Sequence, residues 1–231
     1  EAARRGAVGA IVTHTTSSAG SPFQAIPTGQ GREQFWLPVD EAQPSLQLRS
    51  WCSEDAARQM ASFGGHDLDE LRARAERRDF TPVPLGVTAS CATTNEVREI
   101  QSGNVAGLVG VGCPPPAVKD EVVVVTAHFD HLGIGREKKG DGIYNGALDN
   151  ASGTAGVLNL ARVVAGMKVK PRRSVLFLFV TAEESGLLGS KYYAQNPTVP
   201  VKQLVANFNV DGINIWGATT DLEMIGHGKS S

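Results

Sequence analysis

Apolar and polar positions alternate differently along this chain on either side of about residue 84. Before it, apolar residues come in short groups. EAARRG (1–6) predicts a short helix, AVGAIVTH (7–14) a strand, and TTSSAGSP (15–22) a loop of turn-forming residues. A stretch containing Gln and Pro continues to about Ser50. Ser53 then stands as an N-cap ahead of the helical run SEDAARQMASFG, and HDLDELRARAERRDF (66–80) predicts a second, strongly charged helix.

From about Leu85 strand patterns dominate. LGVTASCATTNEVREI (85–100) and SGNVAGLVGVG (102–112) read as adjacent strands joined at Gln101–Gly103. EVVVVTAH (121–128), SVLFLFVTA (174–182) and KQLVANFNVDG (202–212) predict three buried strands, because an uninterrupted apolar run has no solvent face. Between them lie the loop GIGREKKGDGIYNG, an amphipathic helix over SGTAGVLNLARVVAGM, and a helix over SGLLGSKYYAQN that stops near Pro197. Buried strands alternating with helices predict an α/β fold, a three-layer sandwich with a mixed, largely parallel central sheet. Ligands of such sheets gather at the carboxyl ends of the strands. Residues 1–50 read as part of a small β-rich accessory domain, 51–84 as a helical connector and 85–231 as the core.

Composition narrows the possibilities. With 231 residues, 41% hydrophobic and 20% charged, this is the profile of a globular domain. A net charge of -2 gives no footprint for nucleic acid or an anionic membrane. The longest apolar runs fall far below the roughly 20 residues of a membrane span. The chain starts inside a helix-then-strand pattern without a Met or a basic-then-apolar leader, and ends just after LEMIG, so it reads as an internal fragment. Cys52, Cys91 and Cys113 match no zinc spacing. Cys91 and Cys113 flank an expected hairpin and could pair in an oxidising compartment, although free thiols are the simpler expectation.

Each predicted buried strand terminates in ionisable residues: His128-Phe-Asp130, Glu183-Glu184 and Asp211, with Asp149 just ahead of a helix start in LDNASG. Singly these have ordinary explanations: a capped loop, helix-dipole complementation, an N-cap and a turn. Together, at parallel strand ends, they would crowd several carboxylates into one crevice, which calls for cations. Imidazole with carboxylates and no thiolate fits zinc or another borderline first-row ion. Adjacent glutamates on an extended chain point opposite ways, so one can bind metal while the other reaches a water.

AHFDHLG, NGALDNASGTAG, TAEESGLLGSKYYA and NFNVDG, in that order over residues 85–231, resemble the co-catalytic two-zinc exopeptidases of the secreted bacterial aminopeptidase, aminopeptidase Y and glutamate carboxypeptidase type. The first fifty residues more weakly resemble the end of a protease-associated domain. The resemblance implies a zinc aminopeptidase acting on peptides, secreted or periplasmic, in which His128 and Asp211 bind one zinc and Asp149 bridges to a second held by Glu184. Glu183 would be the general base toward a metal-bridging hydroxide, and Asp130 would orient the His128 imidazole through its carboxylate. The family's further histidine ligand is expected beyond Ser231, since His227 follows Asp211 too closely; the fragment alone is then expected to be impaired.

Alternatives on the same fold are a carboxypeptidase, a one-zinc glutaminyl-cyclase-like enzyme, and a receptor-like protein of the transferrin-receptor kind, which loses zinc ligands. His131 is expected to make a structural hydrogen bond away from the site, and His14 and His66 to be solvated. Tyr144 and Asn145 are expected either to line the substrate pocket or to pack the loop, and the basic run 136–139 to be a solvated loop tip.

Overall fold

The computed structural model describes residues 1–30, 33–38, 44–110, 118–135, 140–220 and 225, which fall into two compact units, Glu1–Glu99 and Ile100–Ser231. Cys113, His227 and the basic run 136–139 lie outside the described residues.

In the first unit, β1 (Gly9–Thr13) pairs in parallel with β2 (Leu48–Cys52). The expected loop after β1 contains a turn of helix, α1 (Thr16–Ala19), because the Thr15 hydroxyl caps it by accepting from the Ser18 N–H. A second short helix, α2 (Ala25–Gln30), follows. His14, expected to be solvated, is buried beside Phe23 with its ring edge-on at 5.7 Å. Ser53 caps α3 (Glu54–Phe63) as expected, and Asp67 caps α4 (Leu68–Ala75). Arg58 joins the two helices through Glu54 and Asp69. Among the described residues, 85–99 pair with no strand, and Val87 and Val97 stay exposed. Cys52 and Cys91 are free thiols.

The second unit is built on β3 (Val105–Val109), β4 (Val122–His128), β7 (Ser174–Val180) and β8 (Leu204–Asn209), with a two-stranded hairpin of β5 (Gly133–Ile134) and β6 (Ile143–Tyr144) between β4 and β7. The sheet order is β3-β7-β4-β8, with β4 parallel to both neighbours and only β3 antiparallel. Strand alternation sends residues to two cores. Val122, Val124, Leu176, Leu178 and Val180 pack with Tyr193 of α6 (Leu188–Gln195). Val125, Ala127, Phe177 and Phe179 pack on the other face with Val157 and Val164 of α5 (Gly153–Gly166). The result is the expected α/β sandwich around a mixed, largely parallel sheet. Leu176 is 2% exposed, so its truncation to Ala should cost about 2–5 kcal/mol.

One strand differs from expectation. Among the described residues β8 pairs on one side only; Leu204 packs against the core, while Val205 and Phe208 remain exposed rather than buried. Among the described residues no helix is long and apolar enough to cross a membrane.

Candidate metal centre

The chain leaves β4 toward β7 on one side and later returns to β8 on the other, so the carboxyl end of β4 is a topological switch point where a crevice forms. Register brings the acids to this point. His128 lies opposite Val180, three residues ahead of Glu183, and Thr126 lies opposite Asn209, two residues ahead of Asp211.

His128 is 2% exposed, and its Nε2 faces two carboxylates at once, Asp149 Oδ1 at 3.0 Å and Asp211 Oδ1 at 3.1 Å. Its other ring nitrogen is held by the backbone: Nδ1 lies 3.1 Å from the Asp130 carbonyl and 3.8 Å from the Asp130 carboxylate. The orienting contact expected from the Asp130 side chain thus comes from its main chain. The carboxylate turns instead to the next strand end, where both of its oxygens accept from the Glu183 N–H, at 3.2 and 3.1 Å. Asp130 therefore positions both His128 and Glu183. The Thr154 hydroxyl, at the start of α5, donates to the His128 carbonyl at 2.8 Å.

Asp149 and Asp211 are fixed by a residue that the sequence did not single out. Asn150 is 1% exposed; its Nδ2 donates to the Val210 carbonyl, and its Oδ1 accepts from the N–H groups of Gly153 and Gly212. Asn150 thereby clamps both peptide neighbours of Asp211 to the segment carrying Asp149. Gly153 makes this approach possible, since a Cβ there would lie 2.2 Å from Asn150 Oδ1 and 2.7 Å from the Val210 carbonyl. Ser152 adds a further tie, its hydroxyl accepting from the Ile213 N–H. In sequence, DNASG reads only as a helix start; the neighbours of Asn150 come from sixty residues away.

Two groups of potential ligand atoms result, His128 with Asp149 and Asp211, and His131 with Asp149 and Glu184, each spanning no more than 4.8 Å. Asp149 belongs to both. His131 does make a hydrogen bond, as expected, but to the site: its Nδ1 lies 2.8 Å from Glu184 Oε1. The connection past the strand end turns it back toward the acids, which strand alternation did not foresee.

The electrostatics follow from this crowding. Burial is the largest influence on His128 and opposes its charge, but Asp211, Glu183 and the Asp130 carbonyl together hold its pKa above the ordinary imidazole value. Burial pushes the Glu183 carboxyl up, reinforced by Glu184, Asp211 and Asp130 and partly offset by His128. Among the described residues no lysine or arginine pairs with Asp130, Asp149, Glu183, Glu184 or Asp211. An imidazole nitrogen aimed between two such carboxylates fits a borderline divalent ion such as zinc, which would supply the missing positive charge.

Fold and site together give a candidate metal centre at the carboxyl edge of an α/β sheet. The model of Peptidase family M28 matches residues 109–231, and the chain belongs to that family. It is 28% identical to aminopeptidase YwaD of Bacillus subtilis over 138 residues, 59% of this chain and 28% of that protein. A probable zinc metalloprotease of Pyrenophora tritici-repentis is 40% identical over 74 residues, 32% of this chain and 15% of the other. The crystal structure of LapA from Legionella pneumophila aligns with a TM-score of 0.38 at 28% identity, covering 47% of this chain and 27% of that one. The chain thus spans less than a third of these relatives.

Proposed function

We propose that this chain carries the centre of a zinc-dependent aminopeptidase with two zinc positions that share Asp149. His128 and Asp211 would complete the first position, and Glu184 belongs to the second. The observation that carries the reading is His128 Nε2 set between Asp149 and Asp211, with a second acid group sharing Asp149. The names of the relatives, an aminopeptidase and a zinc metalloprotease, support the substrate and the ion.

Zinc, when bound, polarises a scissile carbonyl and lowers the pKa of an attacking water toward about 7. Glu183 takes the proton of that water and returns it to the leaving amine. In the metal-free site burial pushes its carboxyl up. The Asp130 carboxylate, by holding the Glu183 N–H, sets where that side chain begins.

The test measures zinc content together with hydrolysis of an aminoacyl-nitroanilide and of its N-blocked analogue, for the protein extended past Ser231 to include the further histidine ligand expected there. Glu183→Gln should keep its zinc and lose about 10²–10⁴ in kcat. An unchanged kcat would remove Glu183 as the base. Cleavage of the blocked analogue would exclude an aminopeptidase, and absence of bound zinc would exclude the metal reading.

A further inference from the structure

His131 is the imidazole near the site to which the zinc reading gives no role. It lies three residues past His128, 21% exposed, with Nδ1 2.8 Å from Oε1 of Glu184. Nδ1 is the ring nitrogen that faces this carboxylate, and as the Nδ1–H tautomer it donates to it. The spacing agrees. Two ligand atoms on one tetrahedral zinc, each at 2.0–2.1 Å, stand roughly 3.3 Å apart. The His131–Glu184 contact is well inside that and has the length of a charge-assisted hydrogen bond.

The ring is also seated from behind. Pairing of β5 with β6 sets Gly133 opposite Tyr144, and the Tyr144 ring meets His131 edge-on with centroids 6.2 Å apart. Gly146, at φ +63, closes the seat: a Cβ there would stand 2.8 Å from His131 Cβ. The loop between β4 and α5 therefore fixes one imidazole in one orientation, toward one carboxylate.

We propose that His131 is a positioning residue, fixing the Glu184 carboxylate at the second zinc position without binding the ion itself. The inference rests on the two-zinc reading above. Partners of this kind, which hold a ligand rather than the ion, set its orientation and basicity.

The experiment titrates zinc calorimetrically into the metal-free protein, extended past Ser231 so that the further histidine ligand expected there is included, for wild type, His131→Ala, His131→Asn, Glu184→Ala and the double Ala variant. His131→Ala should weaken the second zinc about 10- to 100-fold and leave the first unchanged. His131→Asn, whose amide N–H can stand where Nδ1–H does, should recover most of that loss. In the Glu184→Ala background, His131→Ala should add nothing, because its effect passes through the missing carboxylate. Nitrogen-15 NMR of the metal-free chain should show a His131 ring protonated at Nδ1 and hydrogen-bonded, a signature that Glu184→Ala removes. A further loss in the Glu184→Ala background, failure of Asn to rescue, or an Nδ1 without its proton would overturn the proposal. Wild type that takes up only one zinc, or none, would overturn the two-zinc reading before any variant is compared, and this inference with it.

Discussion

The two acid groups that share Asp149 are held in different ways. The first is set by main chain and core: His128 is the last residue of the central strand, and Asp211 is clamped on both sides through Asn150. The second hangs on connections beyond the strand ends, where His131 and Glu184 hold each other by side-chain contact. Backbone pairing positions atoms at little further entropic cost once the sheet has formed, whereas each loop-borne side chain must still be ordered. The first group should therefore behave as a preformed site that tolerates little change, and the second as one whose quality depends on its neighbours.

The largest expected effect breaks the comparison at its rigid end. His128→Ala removes a nitrogen that faces two carboxylates and leaves those acids without their imidazole. Loss of the first zinc should exceed the about 10- to 100-fold typical of losing a residue that only supports a ligand. Calorimetric titration measures it against Glu184→Ala, which should spare the first zinc. Equal losses in both variants would mean that the groups form one unit and that the contrast is false.

How much of this was legible from sequence follows the same division. The valines of β4 and the run SVLFLFV announce central strands, and acids at the ends of parallel strands must converge, so His128, Asp149, Glu183, Glu184 and Asp211 could be named together. An apolar run reports strand preference and not the number of neighbours, so LVANFN looked as buried as the others although among the described residues it pairs on one side only. Residues 85–99 have strand-forming side chains but pair with no strand among the described residues. Strand alternation stops being a guide where the strand stops, at His128, and the hairpin that turns His131 back to Glu184 lies just beyond. Asn150 was hidden for a related reason: what it binds, Val210 and Gly212, is adjacent only in the folded sheet.

Asn150 gives the next largest effect and sharpens the comparison from the supporting side. Asn150→Ala leaves the Val210 carbonyl and the Gly153 and Gly212 N–H groups without their partner next to a well-packed helix start. At about 1–3 kcal/mol for a stranded buried polar group, and with some relaxation, the loss should come to about 2–4 kcal/mol. Chemical denaturation of the metal-free protein reads it. First-zinc affinity should fall too, while the His131 imidazole signal stays as in wild type. A change under 1 kcal/mol would show that the clamp is dispensable.

The smallest effect is a pH dependence, and it belongs to the rigid group and its base. In the metal-free protein both His128 and Glu183 have folded-state pKa values above their ordinary values of 6.5 and 4.5. A group with a raised pKa binds more protons folded than unfolded across that interval, so stability falls as pH rises through it. The Glu183 contribution is complete below about 4.5 and fades upward from there; that of His128 is complete below about 6.5 and fades above it. Denaturation midpoints of the metal-free protein should therefore decline as pH rises above about 4.5, through the Glu183 interval, and decline further above about 6.5, through that of His128. Asp211→Asn removes the carboxylate that does most to raise His128 and should flatten the upper part of the decline, while Glu183→Gln should flatten the lower part. Zinc should abolish the His128 portion, because a neutral imidazole is the form that binds metal. Midpoints that rise over this range would mean that the acids at the strand ends gain more from partners in the folded chain than they lose by crowding, against the charge imbalance that the metal reading requires.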